Sequence, residues 1–233
     1  MHCLPTFPGG MRGLFAPAAS HRPARWQDRG YLQNGNSLLT MGAYYAMNHK
    51  LLVGELVRLA AVTEAWPEAI ARWSRSSETF RLMGSEATSP FSPQASKKWY
   101  EKEVLEQPSN NYLFEIHSLQ DDHLIGDIGL DGIRWMHGDC FVGIGIGERN
   151  YWGRGYGTDA MRVILRFAFR ELNLHRVTLN VFSYNPRAIR SYEKVGFSHE
   201  GCVRQALNRA GQRWDVIYMG ILRSEWEHLY ADQ

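Results

Sequence analysis

Apolar residues recur along this chain with two different periods, and their succession predicts a mixed arrangement of strands and helices. From 141 to 147, valine and isoleucine alternate with glycines, which is the two-residue period of a strand. From 158 to 171, apolar residues recur at every third or fourth position, which is the period of a helix with one apolar face. The two-residue period returns at 175–182 and predicts another strand.

The segments on either side of this centre complete the predicted domain. The pattern predicts a first strand at 51–59, two helices between 65 and 106 with a loop at 84–93, a hairpin of strands 112–117 and 123–135, and a last hairpin of strands 202–206 and 216–222. The first helix carries Trp66 and Trp73, seven residues apart, and this spacing favours a stripe facing the core over a substrate cage.

The first residues of the chain differ in character from the rest. Prolines and glycines interrupt every candidate element there, and Asp28 is the only acidic residue before Glu55. We therefore expect a flexible extension at 1–48, followed by one domain at 49–228.

Composition excludes several classes of function. The chain has 233 residues and a net charge of +2, too small to favour nucleic acid as the main partner. No apolar run approaches the roughly 20 residues that a membrane span requires, so no membrane role is expected. Cys3, Cys140 and Cys202 form no Cys-x-x-Cys pair and the histidines show no metal-ligand spacing, which predicts a reducing, cytoplasmic location and no metal site.

The segment from Trp152 to Thr158, Trp-Gly-Arg-Gly-Tyr-Gly-Thr, places three glycines between the predicted strand at 141–147 and the helix that follows. The first N–H groups of a helix are unpaired and carry partial positive charge, and glycines let a pyrophosphate approach them. A tight turn uses glycines for steric reasons alone, so both interpretations stand. The segment has neither the lysine of a P-loop nor the spacing of a dinucleotide-binding fingerprint.

A second motif follows the strand at 175–182. Asn185 suits the N-cap of a short helix, Pro186 its first turn, and Gly196 the left-handed position after its end. Asn185 and Tyr192 are seven residues apart, close to two turns, so their side chains should project from one face.

Together, the glycine loop and the pattern Asn-x-x-Ala-x3-Tyr-x3-Gly-Phe resemble the acetyl-CoA-binding core of the GNAT superfamily of N-acetyltransferases. The resemblance is strongest to the branch with ribosomal-protein N-terminal acetyltransferases and spermidine acetyltransferases. It implies an α+β (mixed α/β) fold with a mixed, mostly antiparallel sheet of about seven strands flanked by about four helices. It also implies acetyl-CoA as co-substrate, a small amine or a peptide N-terminus as acceptor, and allows a homodimer.

By this resemblance, backbone N–H groups of the loop hold the CoA pyrophosphate, Asn185 bonds to the pantetheine or phosphate region, and Tyr192 lies by the sulfur. A backbone N–H near Ile146 or Gly147 is expected to stabilise the oxyanion. Some of the arginines are expected to meet the 3′-phosphate of CoA. The predicted cofactor-binding residues are Ile146, Gly147, Trp152, Gly153, Arg154, Gly155, Tyr156, Gly157, Thr158, Asn185 and Arg187. Trp152 stands where the wider superfamily prefers Gln or Arg, which removes the basis for expecting a side-chain contact to phosphate there.

The predicted chemistry is direct attack of an amine on the thioester, with Tyr192 as the general acid. A phenol with a pKa near 10 suits protonation of a departing thiolate, although a buried core tyrosine would show the same helical position. Four carboxylates are candidates for the base, with a water chain as the alternative: Glu115, Asp127, Asp131 and Glu148. Clustering of these acids other than Glu148, together with Glu86, would favour a polycationic acceptor, and scattered placement would favour a peptide or a neutral amine. A non-catalytic CoA-binding sensor with the same fold is the competing hypothesis.

Overall fold

The computed structural model describes residues 51–85, 87–102 and 110–230, so the predicted extension at 1–48 and Glu86 lie outside the described residues. The strands are β1 (Val57–Ala61), β2 (Tyr112–Ser118), β3 (Leu124–Arg134), β4 (Asp139–Ile146), β5 (Arg176–Phe182), β6 (Ser198–Arg209) and β7 (Gln212–Leu222). The α-helices are α1 (Trp66–Trp73), α2 (Ser77–Met83), α3 (Pro93–Tyr100), α4 (Tyr156–Arg166), α5 (Pro186–Val195) and α6 (Arg223–Leu229).

The seven strands form one sheet in the order β1-β2-β3-β4-β5-β7-β6. Every neighbouring pair is antiparallel except β4 and β5, which are parallel. Their parallel pairing joins only 139–141 to 176–178, and beyond Phe141 the two strands separate. The predicted mixed, mostly antiparallel sheet is confirmed, and the described residues contain more helices than the resemblance implied.

The two faces of the sheet are covered by different helices. On one face, Met161, Ile164 and Leu165 of α4 are fully buried against the strands and form the main core. On the other face, α1 buries Trp66 and Trp73 in a separate apolar cluster. The tryptophan spacing therefore marks a core stripe, as the sequence predicts, and α1 lies on the face opposite α4.

The prediction of a first strand at 51–59 is wrong in its first half. The chain turns back before β1, and the N–H of Gly54 donates to the carbonyl of Val57 at 2.7 Å. The buried carboxylate of Asp159 in α4 accepts hydrogen bonds from the backbone N–H groups of 55–57. These N–H groups bond to a side chain instead of a neighbouring strand, so strand pairing begins only at Val57.

The prediction of two helices between 65 and 106 is also wrong, because the described part of this segment contains three. Ser76 starts α2 by accepting the N–H of Thr79 at 3.3 Å, and Ser92 starts α3 by accepting the N–H of Ala95 at 3.1 Å. Each serine satisfies orphan donors of a new helix, and this local chemistry divides the segment.

Other predicted bounds shift by a few residues. Helix α4 begins two residues before the predicted start and passes after Arg166 into a π-helical turn, Phe167–Glu171. The last hairpin is longer than predicted, because β6 and β7 pair out to Arg209 and Gln212. None of the helices within the described ranges has the length and apolarity needed to cross a membrane.

Candidate active site

A cleft of about 320 Å³ opens where β4 and β5 separate, bounded by α4, α5 and the C-terminal end of α2. It brings together most of the residues that the sequence predicts for cofactor binding and catalysis. Those that line it are Ile146, Trp152, Gly153, Gly155, Tyr156, Gly157, Thr158, Asn185, Arg187 and Tyr192. Gly147 and Arg154 of the predicted set do not line it.

The glycine loop presents the N-terminus of α4 to this cleft. Gly153 and Gly155 have φ of +71° and +94°, in the left-handed region that favours glycine, and Gly155 is the N-cap. Within α4 the N–H of Asp159 bonds to the carbonyl of Gly155 at 2.9 Å, and among the described residues no side chain caps the N–H groups that precede it. These donors and the helix dipole suit an anion such as a pyrophosphate.

Trp152 contacts both an arginine at the cleft and the end of β4. Its indole Nε1 donates to the carbonyl of Ile146 at 2.6 Å. The guanidinium carbon of Arg187 lies 3.9 Å from the centre of the indole ring, a cation–π contact, and that of Arg149 lies at 5.4 Å. Trp152 therefore positions Arg187 at the cleft, and no feature of the sequence revealed this pairing.

The side chain of Arg154 turns away from the cleft. It is exposed, donates to the carbonyl of Asn150 at 3.2 Å, and its guanidinium carbon lies 5.6 Å from the ring centre of Tyr156. The contribution of position 154 to the cleft is therefore backbone geometry more than side-chain charge.

Hydrogen bonding along β4 distinguishes the two residues predicted for the oxyanion donor. The N–H of Gly147 donates to the carbonyl of Ile125 at 2.9 Å, toward β3. Residues of an antiparallel strand alternate in the side to which they direct their N–H, so the N–H of Ile146 points away from β3, toward β5. Because β5 has already separated there, Ile146 is the stronger candidate of the two.

The alternate glycines of β4 make room for the protein's own side chains. A Cβ on Gly147 would lie 2.0 Å from the ring of Trp73, and one on Gly145 would lie 2.1 Å from the methyl group of Met83. A Cβ on Gly143 would meet nothing within 4 Å. The pairing of β3 with β4 is regular at Gly143 and Gly145, so these glycines do not mark a bulge.

Helix α5 places Asn185 and Tyr192 at the cleft, as the spacing predicts. The side-chain oxygen of Asn185 accepts the N–H of Ala188 at 3.2 Å, which caps α5 and leaves the amide nitrogen to donate elsewhere. The hydroxyl of Tyr192 makes no hydrogen bond within the described part of the chain, and burial raises its pKa to about 12. Tyr192 therefore stays protonated at neutral pH, as a proton donor must.

Two of the four candidate bases lie in unsuitable surroundings. Glu148 accepts hydrogen bonds from Arg72 at 2.7 Å and from the indole of Trp73 at 2.9 Å. Burial by itself would raise the pKa of Glu148, but these two hydrogen bonds and the positive charge of Arg72 outweigh burial and lower that pKa. Glu148 is therefore a weaker base. Asp131 is exposed and pairs across the sheet with Phe141, at the other end of β4 from Ile146.

The other two candidates are neighbours on β2 and β3. Glu115 is fully buried and accepts hydrogen bonds from the backbone and hydroxyl of Thr63 and from His117. Asp127 accepts one hydrogen bond, from the indole of Trp66 at 3.3 Å. Burial, with the neighbouring Glu115 adding to it, raises the pKa of Asp127 to about 7. The contacts from Thr63 and His117 are a part of the site that sequence reasoning missed.

The described ranges contain no group of three or more His, Cys, Asp or Glu side chains that could hold a metal ion. The arrangement instead combines an anion-binding helix start, a protonated phenol and a carboxylate with a raised pKa. Such groups can hold a phosphorylated ligand and move protons beside it.

Comparison with known proteins finds close matches to one family. Residues 57–198 match the family described as "Acetyltransferase (GNAT) domain". The crystal structure of spermidine N-acetyltransferase from Vibrio cholerae in complex with CoA and spermine has a TM-score of 0.65 and 25% sequence identity, covering 73% of this chain and 97% of that one.

Two Bacillus subtilis (strain 168) relatives match shorter stretches. YnaD, named as an uncharacterized N-acetyltransferase, is 34% identical over 77 residues, 33% of this chain and 45% of that protein. YdaF, whose name proposes a ribosomal N-acetyltransferase, is 32% identical over 109 residues, 47% of this chain and 59% of that protein. The chain thus spans about half the length of these curated relatives.

Proposed function

The chain belongs to the GNAT acetyltransferase family, and we propose that it transfers the acetyl group of acetyl-CoA to a primary amine. This membership confirms the resemblance that the glycine loop and the Asn185 motif indicate. Acetyl-CoA is the expected co-substrate of the domain.

The observation that carries the proposal is that an uncapped helix N-terminus and a protonated tyrosine line one cleft. The glycines at 153, 155 and 157 carry no side chain that could cover the N–H groups at the start of α4. Arg187 lines the same cleft beside Trp152 and adds a positive charge. A pyrophosphate fits such a cradle by charge and by hydrogen-bond donors.

The bound co-substrate supplies a thioester whose acetyl carbon is open to attack by an amine. The N–H of Ile146, free of β3, supports the proposal that this end of β4 donates to the thioester oxygen as negative charge develops on it. Tyr192 donates its phenolic proton to the departing sulfur. The amide nitrogen of Asn185, left free by the helix cap, is available to orient the pantetheine arm.

For the acceptor, we propose a small, positively charged amine. The solved Vibrio cholerae relative is a spermidine N-acetyltransferase in complex with spermine, which supports this class. Two of the four acids whose clustering would favour a polycation, Glu115 and Asp127, are neighbours on β2 and β3, which supports this class, while Asp131 lies apart from them. The name of YdaF supports a protein N-terminus as the second acceptor to test.

The first test measures CoA release from acetyl-CoA against polyamines, N-terminal peptides and aminoglycosides, for the wild type and Tyr192→Phe. We expect Tyr192→Phe to lower turnover by roughly 10² to 10⁴, with acetyl-CoA affinity little changed, because the variant keeps the ring and loses the proton. Tyr230→Phe is the matched control, since its hydroxyl donates to the carbonyl of Val195 outside the cleft.

Each result of this test decides between stated hypotheses. Release with one acceptor class establishes the transferase and names its substrate. Binding of acetyl-CoA without release for any acceptor favours the sensor. Unchanged turnover in Tyr192→Phe at saturating substrate removes this tyrosine from the mechanism.

A further inference from the structure

A row of three residues crosses the sheet on the face that α1 covers. Glu115 of β2 pairs with Asp127 of β3, and Asp127 pairs with Gly145 of β4. Residues directly opposite one another on neighbouring strands share a face of the sheet, with Cβ atoms about 5 Å apart. The row therefore runs from a buried carboxylate to Gly145, which lines the cleft.

The two carboxylates of this row are satisfied to different degrees. Glu115 accepts three hydrogen bonds, two of them from Thr63 and one from His117. In Asp127, Oδ2 accepts the indole N–H of Trp66, and within the described ranges no hydrogen bond reaches Oδ1. Asp127 thus keeps an oxygen with unused acceptor capacity, whereas both oxygens of Glu115 take part in hydrogen bonds.

The free oxygen of Asp127 is directed toward the space above Gly145. A Cβ placed on Gly145 would lie 3.7 Å from Oδ1 of Asp127 and 2.1 Å from the methyl group of Met83. The space that a side chain at 145 would fill is therefore shared by a carboxylate oxygen and the end of a flexible thioether. Met83 and Gly145 both line the cleft, so the space beside Oδ1 of Asp127 adjoins it.

Among the described residues, one charged group changes the pKa of Asp127. Glu115 on β2 is the charged group that acts on it, and it disfavours ionisation of Asp127. The other elements packed there contribute uncharged groups: the indole of Trp66 from α1, Gly145 from β4 and the thioether of Met83 from α2. Burial and Glu115 together bring the pKa of Asp127 to about 7, where a carboxylate can both accept and release a proton at neutral pH.

We propose that Asp127 is the general base of the transfer and that the acceptor amine binds over Gly145, between this carboxylate and the acetyl group. The proposal rests on the proposed function and adds a residue and a position to it. Met83 covers the position in the absence of acceptor and moves aside as the amine enters. The carboxyl group of Glu115, next to Asp127 in the row, favours an ammonium over a neutral molecule.

The proposed step conserves protons and electron pairs. The ammonium gives one proton to Asp127, and the freed nitrogen lone pair forms the C–N bond to the acetyl carbon. The C–S bond breaks with its electron pair on sulfur, and Tyr192 protonates that sulfur. The second proton leaving the nitrogen restores the tyrosine, and Asp127 releases its proton to water, so the net reaction releases one proton.

The test compares Asp127→Asn with wild type by the pH dependence of kcat/KM. It uses as acceptor whichever of spermidine, an N-terminal peptide or an aminoglycoside gives CoA release with wild type. We expect a loss of about 10² to 10³ at pH 7 in the variant. Wild-type kcat/KM should level off above about pH 7, set by Asp127. The variant should keep rising toward the pKa of the amine itself, near 10 for an alkyl amine such as spermidine and about 8 for a peptide N-terminus, because it can use only amine that is already neutral.

Asp131→Asn is the matched control, because it makes the same substitution on the same strand at an exposed position away from Gly145. Calorimetric binding of acetyl-CoA checks that each variant is folded. A loss below tenfold with the wild-type pH profile, in an Asp127→Asn protein that binds acetyl-CoA normally, overturns the assignment and leaves the transferase standing. Absence of release with all three acceptors in wild type overturns the transferase, and the assignment falls with it.

Discussion

The two sides of the cleft are built from different parts of the chain. The proposed donor side is formed by the glycine loop, the N-terminus of α4 and helix α5, all within 152–195. The proposed acceptor side, on the other face of the sheet, consists of side chains from α1, α2, β2 and β3. The proposed donor site is thus local in sequence, whereas the proposed acceptor site depends on strand register.

The two sides also differ in charge. A helix N-terminus and Arg187 make the proposed donor side positive, while the proposed acceptor side carries the carboxyl groups of Glu115 and Asp127. Each sign complements the proposed ligand, a pyrophosphate on one side and an ammonium on the other. Glycines serve both sides: Gly155 permits the backbone turn, and Gly145 leaves space for a carboxylate and a thioether.

The largest effect that separates the two sides is expected for Gly145→Ala. The new methyl group would occupy the space between Met83 and Oδ1 of Asp127, so the acceptor loses its position. We expect kcat/KM for the acceptor to fall by about 10- to 200-fold, as one misplaced methyl group does in a tight pocket. Calorimetric affinity for acetyl-CoA should stay within about threefold of wild type.

Gly143→Ala is the control for this substitution, because a Cβ at Gly143 meets nothing within 4 Å on the same strand. We expect it to lose less than about twofold in kcat/KM. Equal losses in the two variants would show that β4 responds to any side chain, and would contradict an acceptor position over Gly145.

A smaller effect concerns stability, since a carboxylate with a raised pKa destabilises the fold when it ionises. The native state keeps the proton of Asp127 up to about pH 7, while the unfolded chain releases it near its ordinary pKa of 3.8. The stabilisation is therefore full below the unfolded pKa and is lost as the pH rises toward and through 7.

Asp127→Asn should remove this loss. We expect its free energy of unfolding at pH 8 to exceed that of wild type by about 1 to 3 kcal/mol, with the two proteins converging near pH 4. Urea denaturation at the two pH values measures it, with Asp131→Asn as control. A variant less stable than wild type at pH 8 would mean that the hydrogen bond between Asp127 and Trp66 stabilises the fold by more than the ionised carboxylate destabilises it.

Much of the sheet and the donor side could be predicted from the sequence. The two-residue and helical periods located most of the strands and α4, since these elements bury one regular face. Asn185, Pro186 and Gly196 located α5 by capping chemistry that acts within one helix. The first strand was mistaken, because its apolar run gave no sign that Asp159, about a hundred residues away, would bind its N–H groups.

The acceptor side could not be predicted to the same degree, because cross-strand pairing decides it. The sequence predicts that Glu115 and Asp127 lie on neighbouring strands, but it does not show that they lie opposite each other, as they do in the structure. A shift of one residue in register would have sent one carboxylate to the other face. The same holds for Gly145, whose neighbours Met83 and Asp127 come from α2 and β3, and for Arg187, whose partner Trp152 lies 35 residues before it.

The smallest expected difference lies within the donor side, between two arginines. Arg187 lines the cleft against the ring of Trp152, and its removal takes a positive charge from beside the helix N-terminus. We expect Arg187→Ala to weaken acetyl-CoA binding about tenfold, with the difference from wild type shrinking as salt is raised. Arg154→Ala, in an exposed side chain outside the cleft, should weaken it less than about twofold. Calorimetry at two salt concentrations distinguishes them, and equal losses would show that the donor side senses net charge rather than the placement of Arg187 on Trp152.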